Sequence, residues 1–183
     1  MRVRGTVVSL DGSKLVVHTK DGNDVTVSLK DKYAALAVVK SSMDEIKQGT
    51  FIGTATEPQP DGSLRAVEVV VFPDSLRGFA EGHYPWDLGP KSMMTNATIA
   101  QKVQKVDGDT VDVTYKGGEK KITIPTSVPI VGLVPSEHSD IEPGAQSLVP
   151  TEKQADGTLL AGAVLFGKGV VPQCKIFRAE RSD

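Results

Sequence analysis

The sequence predicts an all-β fold in which two small five-stranded antiparallel barrels follow one another along the chain and are joined by an ordered linker. Two observations carry this prediction. The 183-residue chain contains an internal repeat, because four landmarks recur in the same order at offsets of 95 to 97 residues. Within each repeat, stretches of alternating apolar and polar residues are separated by Asp-Gly or Gly-Gly turn signals, as in antiparallel hairpins.

Each repeat opens with a hairpin and a third strand. An apolar-Asp-Gly sequence followed by alternating apolar residues spans residues 8–17, and its counterpart spans residues 104–113. This pattern is typical of two antiparallel strands joined by a tight turn. After a glycine turn, Val25–Leu29 in the first repeat and Ile122–Ile124 in the second alternate as half-buried strands.

A short capped helical turn follows in both repeats. Ser42–Gly49 parallels Glu137–Gly144, and both segments end at a glycine, which commonly terminates a helix. Each turn has one apolar residue at the equivalent position, Ile46 or Ile141. We expect this residue to plug its barrel.

A second Asp-Gly hairpin completes each repeat. Residues 59–66 match residues 154–161 and lead into apolar strands at Val67–Phe72 and Ala163–Phe166. Each repeat thus has the order strand, strand, strand, helical turn, strand, strand. That order is typical of an OB-like barrel, in which closure removes the exposed sheet edges.

The repeat divides the chain into four segments. The linker lacks a clear two- or 3.6-residue period, and an irregular stretch of that length is often functional. The charged tail, which we expect to be disordered, contains the single cysteine, Cys174, so no intramolecular disulfide can form. The predicted segments are the first barrel (1–72), the linker (73–97), the second barrel (98–172) and the tail (173–183).

Composition and charge exclude two classes of partner. The chain carries 21 Lys and Arg residues against 23 Asp and Glu residues, and the basic residues form no extended run. Nucleic-acid-binding domains generally present a basic surface and aromatic platforms, whereas this chain has five Phe, three Tyr and one Trp. Its apolar runs are too short to cross a bilayer. We therefore expect no nucleic-acid partner and no membrane insertion.

The linker contains the densest group of side chains that can carry chemistry, with two carboxylates, an imidazole and two large aromatic rings within seven residues. Neutral imidazole and carboxylate suit a divalent metal such as zinc, so Glu81, His83 and Asp87 are predicted metal ligands. Tyr84 and Trp86 are predicted to contact a bound ligand. In the alternative interpretation, the two aromatic residues anchor the linker between the barrels, and His83 and Asp87 bond to local backbone.

The remaining candidates for catalysis carry weaker signals. His18 alternates on a strand whose counterpart has Thr114, and His138 begins a polar turn, so both are predicted surface residues. The chain has no Gly-x-Ser-x-Gly nucleophile elbow and no phosphate-binding glycine loop. No residue is therefore assigned a catalytic role.

Four motifs are shared with a known family, and the linker motif is the most specific of them: Arg4–Val7, Pro58–Ser63, Glu81–Asp87 and Thr95–Thr98. Through them, nearly the whole chain resembles small exported proteins of Gram-negative bacteria that contain two copies of a barrel-like domain of unknown function. The resemblance implies a secretory leader and a periplasmic location. Such proteins are often labelled as permease components of metal transporters, so the resemblance implies a function related to metals. It supplies no catalytic residues.

Three functions follow as hypotheses. The leading one is an exported, periplasmic binding or structural module whose site for a small molecule, a metal or a protein partner lies at the linker. The alternative is a metal-assisted hydrolase of small esters or lactones, in which Glu81 or Asp87 acts as the general base. A scaffold without a ligand site is the third.

Overall fold

The structure of this protein is a computed structural model, which describes residues 1–167. Within these residues the fold is all-β, as predicted, and the helical elements are three single 3-10 turns. No helix in this part of the chain has the length and apolar character needed to span a membrane. The strands are β1 (Arg2–Asp11), β2 (Lys14–Thr19), β3 (Asp24–Lys40), β4 (Phe51–Pro58), β5 (Leu64–Val71), β6 (Gly82–Pro85), β7 (Met93–Val103), β8 (Gly108–Tyr115), β9 (Gly118–Pro125), β10 (Ile130–Ser136), β11 (Gln146–Pro150), β12 (Glu152–Lys153) and β13 (Leu159–Gly167).

The first of two compact units combines residues 1–39 with residues 134–167 of the described part of the chain. In it, β1, β2 and β3 form an antiparallel meander. β3 then pairs in parallel with β13, β13 pairs with β11, and β11 pairs with β1. These pairings close a five-stranded barrel, which leaves no free edge among its strands.

The second unit is the contiguous segment 40–133. Its meander consists of β7, β8 and β9. β9 pairs in parallel with β5, β5 pairs with β4, and β4 pairs with β7, so the order of pairing repeats that of the first unit. β6 adds a short strand to β7, and β10 begins beside β5.

The compact units do not coincide with the predicted repeats 1–72 and 98–172. Each unit takes its meander from one repeat and its last two strands from the other. The sequence identifies each hairpin because hairpin contacts are local. It does not identify the partner of the last two strands, because both repeats offer the same alternating edge to pair with.

Each unit has its own apolar core. The core of the first unit includes Leu15, Phe166 and Ile141, and that of the second includes Ile52 and Ile46. Ile46 and Ile141 are 0% and 4% exposed, so both apolar turn residues are buried as predicted. Ile46 packs in the second unit, together with β4 and β5, which are the last two strands of the first repeat. Ile141 packs in the first unit, together with β11 and β13, which come from the second repeat.

The two meanders agree in detail. β1 and β7 each contain a register shift, at Val8 and at Ala100, which is characteristic of a β-bulge. The residue before the bulge faces a buried valine of the next strand in both units, Val17 or Val113. This correspondence aligns the units position by position.

The connection between the first two meander strands differs from the prediction in the second unit. The β1–β2 connection is tight and uses Gly12 at φ 55°. Between β7 and β8, by contrast, four residues (104–107) form a loop, and Gly108 lies in β8 opposite Pro125. A Cβ at position 108 would lie 2.4 Å from the carbonyl oxygen of Ile124, and the φ of Gly108 is 127°, so close packing and backbone conformation both favour glycine here. The Gly108 N–H also closes the loop by donating to the carbonyl oxygen of Lys105 at 3.3 Å.

The predicted linker, residues 73–97, belongs to the second unit. It starts with a 3-10 turn at Asp74–Leu76, continues through β6, and ends inside β7. Its sequence shows no period because it combines turns with a four-residue strand. The predicted tail and Cys174 lie outside the described residues.

Candidate ligand-binding cleft

The short strand β6 separates two of the predicted site residues. Successive side chains of a strand point to opposite faces. His83 lies opposite Thr95 of β7, and its Nδ1 is 2.8 Å from the Thr95 hydroxyl oxygen. Tyr84 points the other way, and its hydroxyl oxygen accepts a hydrogen bond from Nδ2 of the buried Asn96 at 3.2 Å. The predicted metal ligand and the predicted ligand-contacting tyrosine therefore serve different faces of the sheet.

The structure does not assemble Glu81, His83 and Asp87 into a metal centre. The exposed Glu81 carboxylate accepts a hydrogen bond from the backbone N–H of Lys116 at 3.0 Å, in the turn between β8 and β9. Asp87 is also exposed. Throughout residues 1–167, no group of three or more His, Cys, Asp or Glu side chains is arranged to hold a metal ion.

Trp86 lies at the start of a turn that is organised by Ser92. The backbone N–H of Trp86 donates to the carbonyl oxygen of Ser92 at 2.8 Å. The buried Ser92 hydroxyl lies 3.0 Å from the Trp86 carbonyl and 2.9 Å from that of Gly89, and it accepts from the N–H of Leu88 at 3.1 Å. The rings of Tyr84 and Trp86 are 6.3 Å apart and tilted. These contacts are local to residues 84–92, so they do not test whether the aromatic pair anchors the linker between the barrels.

The other two histidines lie at the surface, as predicted. His18 is paired across the β2–β3 ladder with Asp24, its Nδ1 2.7 Å from a carboxylate oxygen, and both side chains are about half exposed. His138 stacks on the ring of Tyr33 at 3.8 Å and lies 2.9 Å from the Tyr33 carbonyl oxygen. Neither histidine lines the cleft described next.

An open cleft of about 950 Å³ lies in the second unit, and His83 is the predicted site residue that lines it. The walls come from the β4–β5 turn, the β7–β8 loop, and the strands β8 and β9. The other lining residues are Asp61, Gly62, Ser63, Leu64, Ala100, Gln101, Lys105, Thr110, Asp112, Glu119, Lys120, Lys121 and Thr123.

His83 is held neutral in this cleft. Partial burial lowers the pKa of its imidazole below the ordinary value of 6.5, and the nearby Lys120 ammonium lowers it further. Its Nδ1 is engaged by Thr95, whereas Nε2 makes no hydrogen bond within the described part of the chain. The imidazole therefore retains one free nitrogen for a ligand.

The charges of the cleft are unevenly paired. Lys121 lies 3.7 Å from Asp112 across the β8–β9 ladder. Lys105 and Lys120 have no carboxylate oxygen within 4.0 Å among residues 1–167. Asp61 accepts hydrogen bonds from the Ser63 hydroxyl at 2.6 Å and from its N–H at 2.9 Å, and these bonds lower the pKa of Asp61.

The first unit shows that the barrel does not require these charges. Core positions are apolar in both meanders, as at Leu15 and Val111, and the Asp61 turn recurs at Asp156 with the same two hydrogen bonds. The cleft positions differ. By strand pairing, Asp112, Lys120 and Lys121 of the second unit occupy the places of Val16, Val25 and Thr26 in the first. Two other cleft positions, Glu119 and Thr110, correspond to Asp24 and Lys14.

Sequence reasoning missed most of this cleft and several buried polar residues. In β9, Lys121 and Thr123 alternate with Ile122 and Ile124, so the outward face could be identified, but nothing local indicates that a loop and a turn meet it. Glu68 is completely buried inside an apolar run, which conceals it. No protein-family model, curated protein or solved structure matches this chain.

Proposed function

We propose that this protein is a binding module that holds a small polar molecule in the cleft of its second unit. The single observation that carries the proposal is the convergence on one cleft of His83, the β4–β5 turn, the β7–β8 loop and the outward side chains of β8 and β9. Ligand sites are typically concave and contain a few convergent polar groups, one or more with a perturbed pKa. The exported, periplasmic location implied by the resemblance is part of this proposal.

The topology supports this placement. We propose that both units are OB-type barrels, because a meander whose third strand pairs in parallel with the fifth, and whose first strand pairs with the fourth, is the order of that fold. In the second unit β7, β8, β9, β4 and β5 take these five roles. OB-type barrels bind ligands on the face of strands two and three, between the loops that follow strands one and four. The cleft occupies that face and both of those loops.

The lining favours a small, hydroxyl-bearing ligand over a nucleic acid. The cleft contains no Phe, Tyr or Trp, so bases would have no stacking platform. It offers three hydroxyl groups, an amide and both signs of charge, which suit the hydroxyl groups of a sugar-like molecule.

The proposal is tested by mapping backbone amide shifts in ¹H–¹⁵N NMR spectra. The full chain is titrated with pooled monosaccharides, disaccharides, sugar acids, sugar phosphates and amino acids. We expect at least one pool to move the amides of Thr110, Asp112 and Thr123 while the amide of Ser147, in the first unit, stays in place.

Two tryptophan variants provide the matched control. Ala100 is an exposed bulge residue that lines the cleft, so Ala100→Trp should fill it and abolish the shifts. Val8 is the equivalent bulge residue of the first unit, 43% exposed, so Val8→Trp should leave them unchanged. Binding that persists in Ala100→Trp, or the absence of any shift with every pool, would contradict the proposal. If the protein converts one of the pooled compounds to a product, it is an enzyme rather than a binding module.

A further inference from the structure

We infer that the ligand of this cleft is a short polar peptide in an extended conformation, which adds as a strand to an open edge of β9. The inference rests on the proposed function and deepens it by naming the class of ligand. Three observations carry it: half of β9 is paired on one side only, the unpaired backbone groups of that half belong to residues that line the cleft, and the lining is polar with balanced charge.

The strand β9 is paired on both sides over only part of its length. On one side, residues 118–125 pair with β8. On the other side, β5 pairs with Ile122 and Thr123 alone, since β5 begins at Leu64, directly after the Asp61 turn. Within residues 1–167, no strand pairs with the second side of residues 118–121. These four residues therefore form an open sheet edge, which is a template for a further strand.

The register shows which backbone groups this edge offers. In an antiparallel pair, residues that bond to the facing strand alternate with residues whose N–H and carbonyl groups point away from it. The carbonyl oxygen of Ile124 faces β8, because a Cβ at Gly108 of β8 would collide with it. Two-residue steps back along β9 lead to Lys120, which also bonds to β8, whereas Glu119 and Lys121 point away. The edge thus presents the N–H and carbonyl groups of two residues at the spacing of a strand.

This edge opens into the cleft. Glu119, Lys120 and Lys121 line the cleft from β9, and Asp61, Gly62 and Ser63 line it from the β4–β5 turn. The turn is fixed by the two hydrogen bonds that the Asp61 carboxylate accepts from Ser63, so it cannot extend β5 along the edge. A strand added to β9 would therefore lie in the cleft, beside this turn.

The lining of the cleft selects a polar peptide. It combines three carboxylates, three ammonium groups and three hydroxyl groups, and it contains no aromatic side chain. Because the charges balance, they complement a peptide that carries hydroxyl groups and both signs of charge rather than an apolar segment or a polyanion. A sugar can bond to the hydroxyl groups, but it lacks the alternating N–H and carbonyl groups that match the edge of a strand.

The test begins with NMR titration of the full chain by a pool of blocked hexapeptides in which Thr alternates with Lys, Asp, Ser or Gln. We expect the amides of Glu119 and Lys121 to shift as they gain hydrogen bonds. The amide of Thr26, the counterpart of Lys121 in the first unit, should stay in place.

An N-methyl scan of the tightest-binding peptide identifies strand addition. Each N-methyl group removes one backbone donor of the peptide. In an added strand, every second N–H bonds to β9 and those between face away. Methylation should therefore weaken binding by about tenfold at alternate positions, as the loss of one buried hydrogen bond commonly does, and have little effect at the positions between.

Protein variants separate the backbone of the edge from its side chains. Lys121→Pro removes an N–H that points away from β8, a place where strands tolerate proline, so the variant should fold and bind the peptide about tenfold more weakly. Lys121→Gln keeps this N–H and should bind as the parent does. Thr26→Pro makes the matched change in the first unit and should also leave binding unchanged.

Three outcomes would overturn the inference. An N-methyl scan without alternation, or a folded Lys121→Pro variant that binds as tightly as the parent, would show that the edge is not used. If no peptide binds while a pool of sugars or amino acids shifts the cleft amides, the ligand class is wrong and the binding module remains. If neither the peptides nor those pools shift the cleft amides, this inference and the proposed function both fail.

Discussion

At the scale of single residues, Gly53 shows how closely β4 and β7 pack beside the predicted site. Gly53 faces Asn96 across the ladder. A Cβ at position 53 would lie 2.6 Å from Asn96 Oδ1 and 3.1 Å from the ring of Phe72. Asn96 is buried and already donates through Nδ2 to Phe79 and Tyr84, so its amide cannot rotate away without losing these bonds. The glycine is therefore a packing requirement.

Gly53→Ala should destabilise the protein by about 1–3 kcal/mol, the usual cost of overpacking a buried site. The free energy of unfolding, measured by denaturant titration, checks this. Gly89→Ala is the matched control, because its Cβ would have 4.0 Å to the nearest atom and its φ is not left-handed. Equal losses in the two variants would show that removal of a glycine, rather than the contact with Asn96, determines the effect.

His83 should make stability depend on pH. Burial and the Lys120 charge lower the pKa of His83 in the folded protein. In the unfolded chain the imidazole becomes protonated near pH 6.5, whereas in the folded protein it becomes protonated only at a lower pH. Stability should therefore fall as the pH drops below about 6.5 towards the folded pKa. His83→Gln removes this contribution, so the free energies of unfolding at pH 7.5 and pH 5.0 should differ less in the variant than in the parent. An unchanged difference would contradict the lowered pKa.

Residue-scale prediction from the sequence succeeded where unusual residues lie next to one another. His83 was identified because it stands among aromatic and acidic neighbours, and it does line the cleft. Lys105, Lys120 and Asp112 were not identified, since each is an ordinary polar residue in its own strand or loop. They become a group only through the pairing of β8 with β9 and the position of the β7–β8 loop.

At the scale of elements, a largely buried ion pair fastens the 3-10 turn of the second unit to its meander. Nζ of Lys102 in β7 lies 2.8 Å from Oδ2 of Asp109 in β8, and the two side chains are 15% and 10% exposed. The same ammonium donates to the carbonyl oxygen of Met43 at 3.2 Å. The turn containing Met43 is followed at once by the buried Ile46, so this contact positions a core residue of the second unit.

Removing one member of this pair should cost more than removing both. Lys102→Leu leaves the buried Asp109 carboxylate without its partner, so we expect a loss of about 3 kcal/mol in the free energy of unfolding. The first unit has Leu10 at the equivalent position, which suggests an apolar replacement. Lys102→Leu combined with Asp109→Ser should recover part of the loss in denaturant titrations. A double variant less stable than the single one would show that the pair is not coupled.

Element-scale prediction succeeded for hairpins and failed for irregular segments. The Asp61 and Asp156 turns form as predicted because Asp-Gly sequences have a local preference and each aspartate bonds to a residue two positions on. β6 was not predicted, because a four-residue strand is too short to show a period. The sequence predicts a turn at Gly108, whose N–H does close the loop that precedes β8, but it does not show that Gly108 also approaches the β9 backbone closely.

At the scale of the whole molecule, the exchange of strands between repeats is the feature that sequence periodicity could not supply. Both repeats carry a meander and a terminal hairpin with similar apolar faces, so either terminal hairpin satisfies either meander. The chain passes from one unit to the other at the end of β3, which has 17 residues, and within β10, which has seven. β3 contains the run Ala34–Val39, which the sequence shows as apolar without showing that it pairs with β13 of the other repeat.

A designed disulfide tests this exchange in the intact chain. Thr6 in β1 faces Gln146 in β11, and their side chains are joined by a 2.8 Å hydrogen bond. In a chain whose Cys174 is replaced by Ser, Thr6→Cys with Gln146→Cys should oxidise readily, giving a faster band on a non-reducing gel and about 2–4 kcal/mol of added stability. If the repeats closed separately, Thr6 would face Phe51, the counterpart of Gln146. Efficient crosslinking of Thr6→Cys with Phe51→Cys, and none with Gln146→Cys, would contradict the exchange.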